Sequence, residues 1–349
     1  MQRKLHKISV CFVVFAPFAW AADQVAGNSG SNSVQNAASS QVANSIERAR
    51  AAFFKGAYEE ADRMYQQAIK QAEAARMQNV LLARASYELG AVRKVEGRCG
   101  EAAPLIQRGL ALLISQSRSG DLHANANEIT GVWEALGAAR ACDYAYTQAE
   151  YAYQKALEME QRAATPRKPV VFEIQSNLGS VYQEEGKYSQ AQAAFEAAAA
   201  LQNDPKIDPL SRAMLAGTYG PLLRSLGRQT EAADMIQSGL AILRAARDPD
   251  GGTTVILLNA MALVQSDRKA YAEAAQLLSE ALDRMDKGAV FRPDDRAQVL
   301  RNYAFCLRKL GEKKLAHRLE SQAGQLTAGL RPDATRGALV DVSELALEH

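Results

Sequence analysis

The chain has 349 residues and a formal net charge of +2, from 41 basic against 39 acidic side chains. Hydrophobic residues make up 48% and aromatics only 7%, a composition that suits helices packed through small side chains rather than a sheet. So even a charge balance does not suggest broad electrostatic capture of nucleic acid or anionic lipid, and no nucleic-acid partner is expected.

In chain order, the first segment reads as an address. Arg3, Lys4 and Lys7 precede an apolar run from Ile8 to Trp20, and Ala19, Trp20 and Ala21 give small residues around a cleavage point. This is the pattern of a secretory signal peptide over residues 1–21. The run is shorter than the roughly 20 residues a membrane-spanning helix needs, so no integral membrane insertion is expected after cleavage. A periplasmic or secreted location follows. Residues 22–41, including DQVAGNSGSNSVQNAASSQ, are polar, small and aperiodic, and are expected to form a disordered linker.

The stretch EIQSNLGSVYQEEGKYSQAQAAFEAA, residues 173–198, defines a repeating unit. Leu178, Gly179 and Tyr182 share one face of a first helix, Gly186 and Lys187 make a turn, and Ala191, Phe195 and Ala198 share one face of a second. Small residues opposite bulky ones let two helices interlock closely. The same hairpin can be laid on the chain from Val42, Ala83, Thr130, Phe172, Ala213, Val255 and Ala297, seven times over residues 42–329.

Matches along the series are uneven. The first unit keeps Gly56, Tyr58, Ala61, Tyr65 and Ala68, but Arg48 stands where leucine is usual and leaves its first helix in doubt. The third has Trp133, Leu136, Gly137, Ala149, Tyr153 and Ala156. In the seventh, Glu320 replaces the large apolar residue, as an exposed terminal helix allows. Between hairpins lie TPRKP, NDPKIDP, RDPDGG and FRPDD, which set prolines near the starts of first helices, where a missing N–H is tolerated. Pro221 is the exception, since it lies inside a first helix and predicts a kink there, which either opens a pocket or adjusts curvature.

These residues resemble the tetratricopeptide repeat, whose signature places a large residue, Leu-Gly, Tyr, Ala, Phe and Ala at such offsets. The period of about 42, longer than the usual 34, and the asparagines of the first helices are similar to the repeats of kinesin light chains and their bacterial relatives. The resemblance implies an all-α, right-handed superhelical solenoid whose first helices line an inner groove. Steps of three and four residues put Arg84, Tyr87 and Lys94, then Glu134, then Ser176, Asn177, Ser180 and Gln183 on that face. Arg224, Asn259, Arg301, Asn302, Phe305 and Arg308 continue it.

Asn177, Asn259 and Asn302 stand out because asparagine has no propensity reason to recur in helix interiors. An amide both donates and accepts, as a peptide main chain requires, and in related repeats asparagines at this place hold peptide backbone. Asn177 and Asn302 match that position, and Asn259 is one residue off. The alternative is that they bond to neighbouring repeats and set the superhelical pitch. With them, Arg301, Arg308, Arg224, Gln183, Arg84 and Tyr87 complete the candidate peptide-binding set.

Three cysteines remain after residue 21. Cys99 at the second turn and Cys142 near the end of the third first helix fall on one edge of adjacent hairpins, and are expected to form a disulfide. Cys306 faces a helix interior. The sequence holds no nucleotide-binding loop, HExxH or CxxC pattern, so no enzyme activity, cofactor or metal site is expected. The tail, residues 330–349, either docks through Leu339 and Val342 or is disordered.

The function expected is a protein-binding scaffold or adaptor holding a peptide or partner helix in the groove. A structural, self-associating component of an envelope assembly is the leading alternative, and glycan or metabolite binding near Pro221 a third.

Overall fold

The computed structural model describes residues 33–77, 79–117, 126–246, 251–287, 291 and 293–328. Among these, all regular structure is helical: α1 (Ser33–Phe54), α2 (Tyr58–Ala74), α3 (Val80–Val95), α4 (Cys99–Ser117), α5 (Ala126–Cys142), α6 (Tyr146–Arg162) and α7 (Lys168–Glu184). Then come α8 (Tyr188–Leu201), α9 (Pro209–Ser225), α10 (Gln229–Ala246), α11 (Gly252–Asp267), α12 (Tyr271–Asp286), α13 (Pro293–Lys309) and α14 (Lys313–Thr327). They pair as seven hairpins, with odd-numbered first helices and even-numbered second helices. Two compact units divide the chain, one ending at Arg167 and holding α1–α6, the other beginning at Lys168 and holding α7–α14.

One backbone device ends all seven first helices. A left-handed residue stands at Gly56, Gly97, Tyr144, Gly186, Gly227, Lys269 and Gly311. The next N–H returns to a carbonyl five residues back, as in Lys187 to Tyr182 at 2.8 Å and Arg228 to Leu223 at 2.9 Å. This closure satisfies carbonyls that a helix end leaves open, and glycine suits it because it lacks a Cβ. Starts are equally local: Asp208 caps α9 through a bond from the Ser211 N–H at 3.1 Å, and Pro209 occupies its first turn.

Within each hairpin, small residues meet large ones as the spacing predicts. A Cβ on Gly179 would lie 2.6 Å from Phe195 Cδ1, and one on Gly137 would lie 2.8 Å from Tyr153 Cδ1. Both aromatic side chains are fully buried. The seventh hairpin differs, since Glu320 in the bulky position pairs with Arg308 instead, and α14 buries only Ala316, Leu319 and Ala323.

Two local expectations change. Helix α1 begins at Ser33, so residues 33–41, read as linker, are helical. Arg48 does not break α1, because Val42, Ile46, Ala49 and Ala52 already supply a buried stripe at helical spacing while Arg48 points to solvent. Helix α9 continues through Pro221 to Ser225, with the proline ring buried, so surrounding packing holds the segment helical despite the lost N–H. Pro104 also sits inside α4, but exposed. The expected signal peptide, residues 22–32 of the linker and residues 330–349 lie outside the described residues.

Candidate functional site

The first-helix face carries the polar residues that a sequence reading assigns to a ligand, and most of them bind the next first helix. In the N-terminal unit, Arg50 of α1 grips Glu88 of α3 through two bonds of 2.5 and 3.1 Å. Burial pushes the Glu88 pKa up to about 7, against the pull of Arg50 and a hydrogen bond with Tyr65. One helix on, Arg84 holds Glu128 of α5 at 2.8 and 2.9 Å, and the Tyr87 hydroxyl donates to the same carboxylate at 2.9 Å. The Glu128 bond raises the Arg84 pKa, fixing its charge. Arg84 and Tyr87 thus join α3 to α5.

The C-terminal unit repeats the pattern with other chemistry. Asn302 Nδ2 donates to Asn259 Oδ1 at 2.8 Å, and Gln298 Nε2 donates to Asn302 Oδ1 at 3.1 Å. All three side chains are buried, so two of the three singled-out asparagines link α11 to α13. Arg224 Nη1 donates to Asp267 at 2.8 Å and joins α9 to α11. Arg301 reaches Thr327 at 3.3 Å and Arg308 meets Glu320, both on α14 of their own hairpin. Between α7 and α9, Glu173 lies beside Asp208 and Ser211. Burial first, and repulsion from Asp208 second, push its pKa up to about 7.

Two buried polar atoms on this face lack a partner. Gln183 of α7 is 1% exposed and Arg224 of α9 is 8% exposed, yet Gln183 Oε1 and Arg224 Nε make no hydrogen bond. Each residue stands three positions before the left-handed glycine of its hairpin, Gly186 and Gly227, so they occupy the same register on neighbouring helices. A buried acceptor or donor without a partner costs about 1–3 kcal/mol. Asn177 is also buried in α7, six residues before Gln183. The nearby serines satisfy themselves: Ser176 donates to the Phe172 carbonyl at 2.8 Å and Ser180 to that of Ser176 at 3.2 Å.

Cys99, the first residue of α4, and Cys142, the last of α5, are joined by a disulfide with Cα atoms 5.7 Å apart. Beside it, Arg93 and Arg98 both reach Asp62, which these guanidinium bonds hold below the ordinary carboxylate pKa despite burial. Cys306 is buried with its thiol 3.3 Å from the Ser266 hydroxyl. The described residues contain no group of three or more metal-ligating side chains, and no helix among them is long and apolar enough to cross a membrane.

The acidic partners Glu88, Glu128 and Asp267 escape a reading confined to one hairpin. Their signal is separation: each lies 38, 44 or 43 residues after its arginine, close to one repeat period.

Residues 129–204 match the tetratricopeptide repeat family. No curated protein matches the sequence. Among solved structures, the chain is similar to the apo form of RapI, with 13% identity over 82% of this chain and 98% of that one and a TM-score of 0.64. It is similar also to BtubC (BKLC) from P. vanneervenii, at 15% identity over 66% and 92% with a TM-score of 0.55. A third is the Rap conjugation gene regulator of the plasmid pLS20, solved in complex with the Phr* peptide, at 15% identity over 95% and 84% with a TM-score of 0.56. At these identities the likeness is one of fold, an all-helical arrangement of tetratricopeptide-like hairpins.

Proposed function

We infer that the chain is a protein-binding repeat scaffold, and that the part of the first-helix face built by α7 and α9 takes an extended peptide. The observation that carries this is the pair of buried, unpartnered atoms Gln183 Oε1 and Arg224 Nε on neighbouring helices. A peptide unit offers an N–H to the first and a carbonyl to the second, which relieves both desolvation costs together. The pLS20 regulator of similar fold binds a peptide, which supports the reading. No catalytic step is part of it.

Export belongs to the same proposal. A leader over residues 1–21 would deliver the chain to an oxidising compartment, where a disulfide such as Cys99–Cys142 persists. Amino-terminal sequencing of the protein recovered from the periplasm or medium should begin at Ala22, and an intact leader on cytoplasmic protein would overturn it.

The peptide site is tested by panning a random peptide library on the protein and measuring selected peptides by calorimetry. Gln183→Met should weaken binding by at least about ten-fold, the effect of one lost buried bond, while raising thermal stability because an unsatisfied oxygen is removed. Unchanged affinity in a more stable variant would make Gln183 a packing residue and end the assignment.

A further inference from the structure

The turn edge of the C-terminal unit has a different character from the first-helix face. Its last three turns sit side by side: Arg224 near the end of α9 bonds Asp267 at the end of α11, and the Tyr271 ring at the start of α12 meets Phe305 of α13 edge-on at 6.2 Å. Leu226 and Leu310 each stand one residue before a left-handed glycine, 37% and 45% exposed. Around these turn tips stand Arg228, Arg268, Lys269, Lys309, Lys313 and Lys314, with Lys309 Nζ 5.4 Å above the Phe305 ring.

Acidic residues on this edge do not balance the charge. Asp267 is held by Arg224, and Glu231 and Glu196 by Arg228, leaving Glu273 and Glu312. Among the described residues, Arg268, Lys269, Lys309, Lys313 and Lys314 form no ion pair. The near-neutral total of the whole chain conceals this local excess. Main-chain groups at the tips are already used by the helix closures, since the Gly227 N–H bonds the Arg224 carbonyl and the Arg228 N–H that of Leu223. The tips therefore offer charge and apolar surface, with their N–H groups already committed to the closures.

We propose that this edge is a contact surface for an anionic phospholipid membrane, on which the ammonium and guanidinium groups meet headgroup phosphates while Leu226 and Leu310 enter the headgroup–acyl boundary. Long cationic side chains around a protruding leucine match that layered chemistry, polar outside and apolar beneath. The contact is peripheral and reversible, and it uses none of the residues of the proposed peptide site.

Flotation of the full chain with vesicles of phosphatidylcholine alone, and with vesicles containing about one third phosphatidylglycerol, tests it. Binding is expected to the anionic vesicles only, and to fall as salt shortens the Debye length to about 3 Å. A Lys269→Gln, Lys309→Gln, Lys313→Gln, Lys314→Gln variant should lose at least about ten-fold in apparent affinity. Leu226→Ser with Leu310→Ser should lose about five-fold. All these positions are exposed, and circular dichroism would establish that each variant remains folded. Equal binding by the lysine variant, or no flotation with either vesicle, overturns the proposal. Polyglutamate bound as tightly as the vesicles, with no effect of the leucine changes, would assign the edge to an acidic polypeptide and overturn it too. Peptide affinity should be unaffected in every variant, which separates this test from that of the groove.

Discussion

The side-chain amides of Asn259 and Asn302 are bonded to each other over 2.8 Å, both buried, in consecutive first helices of the C-terminal unit. Residues that look like a ligand-holding row are there a joint between repeats. Asn302→Ala should therefore destabilise the unit by about 1–3 kcal/mol, because Asn259 loses its donor in a dry environment. In urea unfolding, the Asn259→Ala, Asn302→Ala pair should cost less than the sum of the single changes. Additive losses would mean that the two amides act separately.

Two carboxyl groups make stability depend on pH. Glu88 and Glu173 both have pKa values raised to about 7, so each favours folding fully below its unfolded value, near 4.5, and loses that contribution as pH rises through about 7. Thermal unfolding should show higher stability near pH 5 than near pH 8, by on the order of 2–3 kcal/mol per group. Glu173→Gln should stabilise the protein at pH 8 and flatten its part of the profile. A profile left unchanged by this substitution would locate the pH dependence elsewhere.

Gly179→Ala is predicted to destabilise by about 1–3 kcal/mol through overpacking, since the new methyl would fall 2.6 Å from the Phe195 ring. A compensating Phe195→Leu in the same chain should recover part of that loss. Absence of any recovery would place the strain in the backbone rather than in the ring contact.

Reduction of the Cys99–Cys142 bridge frees a clamp between the second and third hairpins. The expected loss is about 2–4 kcal/mol, read as faster amide exchange in α4 and α5. Cys142→Ser should reproduce it without reductant.

Hairpin architecture was legible because it rests on local rules. The Gly179–Phe195 and Gly137–Tyr153 contacts, the left-handed glycines at the turns and the Asp208–Pro209 start each follow from residues close in the chain. The face of the first helices was legible only as a list of polar residues. Whether Arg84 meets a ligand or Glu128, and Asn259 a peptide or Asn302, depends on how helices about one period apart are set against each other. A polar residue looks the same in the sequence whichever partner satisfies it. Gln183 and Arg224 differ from their neighbours only in what fails to reach them.

Every first helix ends on its own closure, made from residues of that hairpin alone. Cutting out residues 187–227 would join Gly186 to Arg228, the counterpart of Lys187, and rebuild a complete turn at the splice. Such a chain would still have to remake the interfaces on either side, but no helix end would be left open. The length of the array is thus a variable that genetic duplication or excision can change in whole steps, without inventing a new turn at each one.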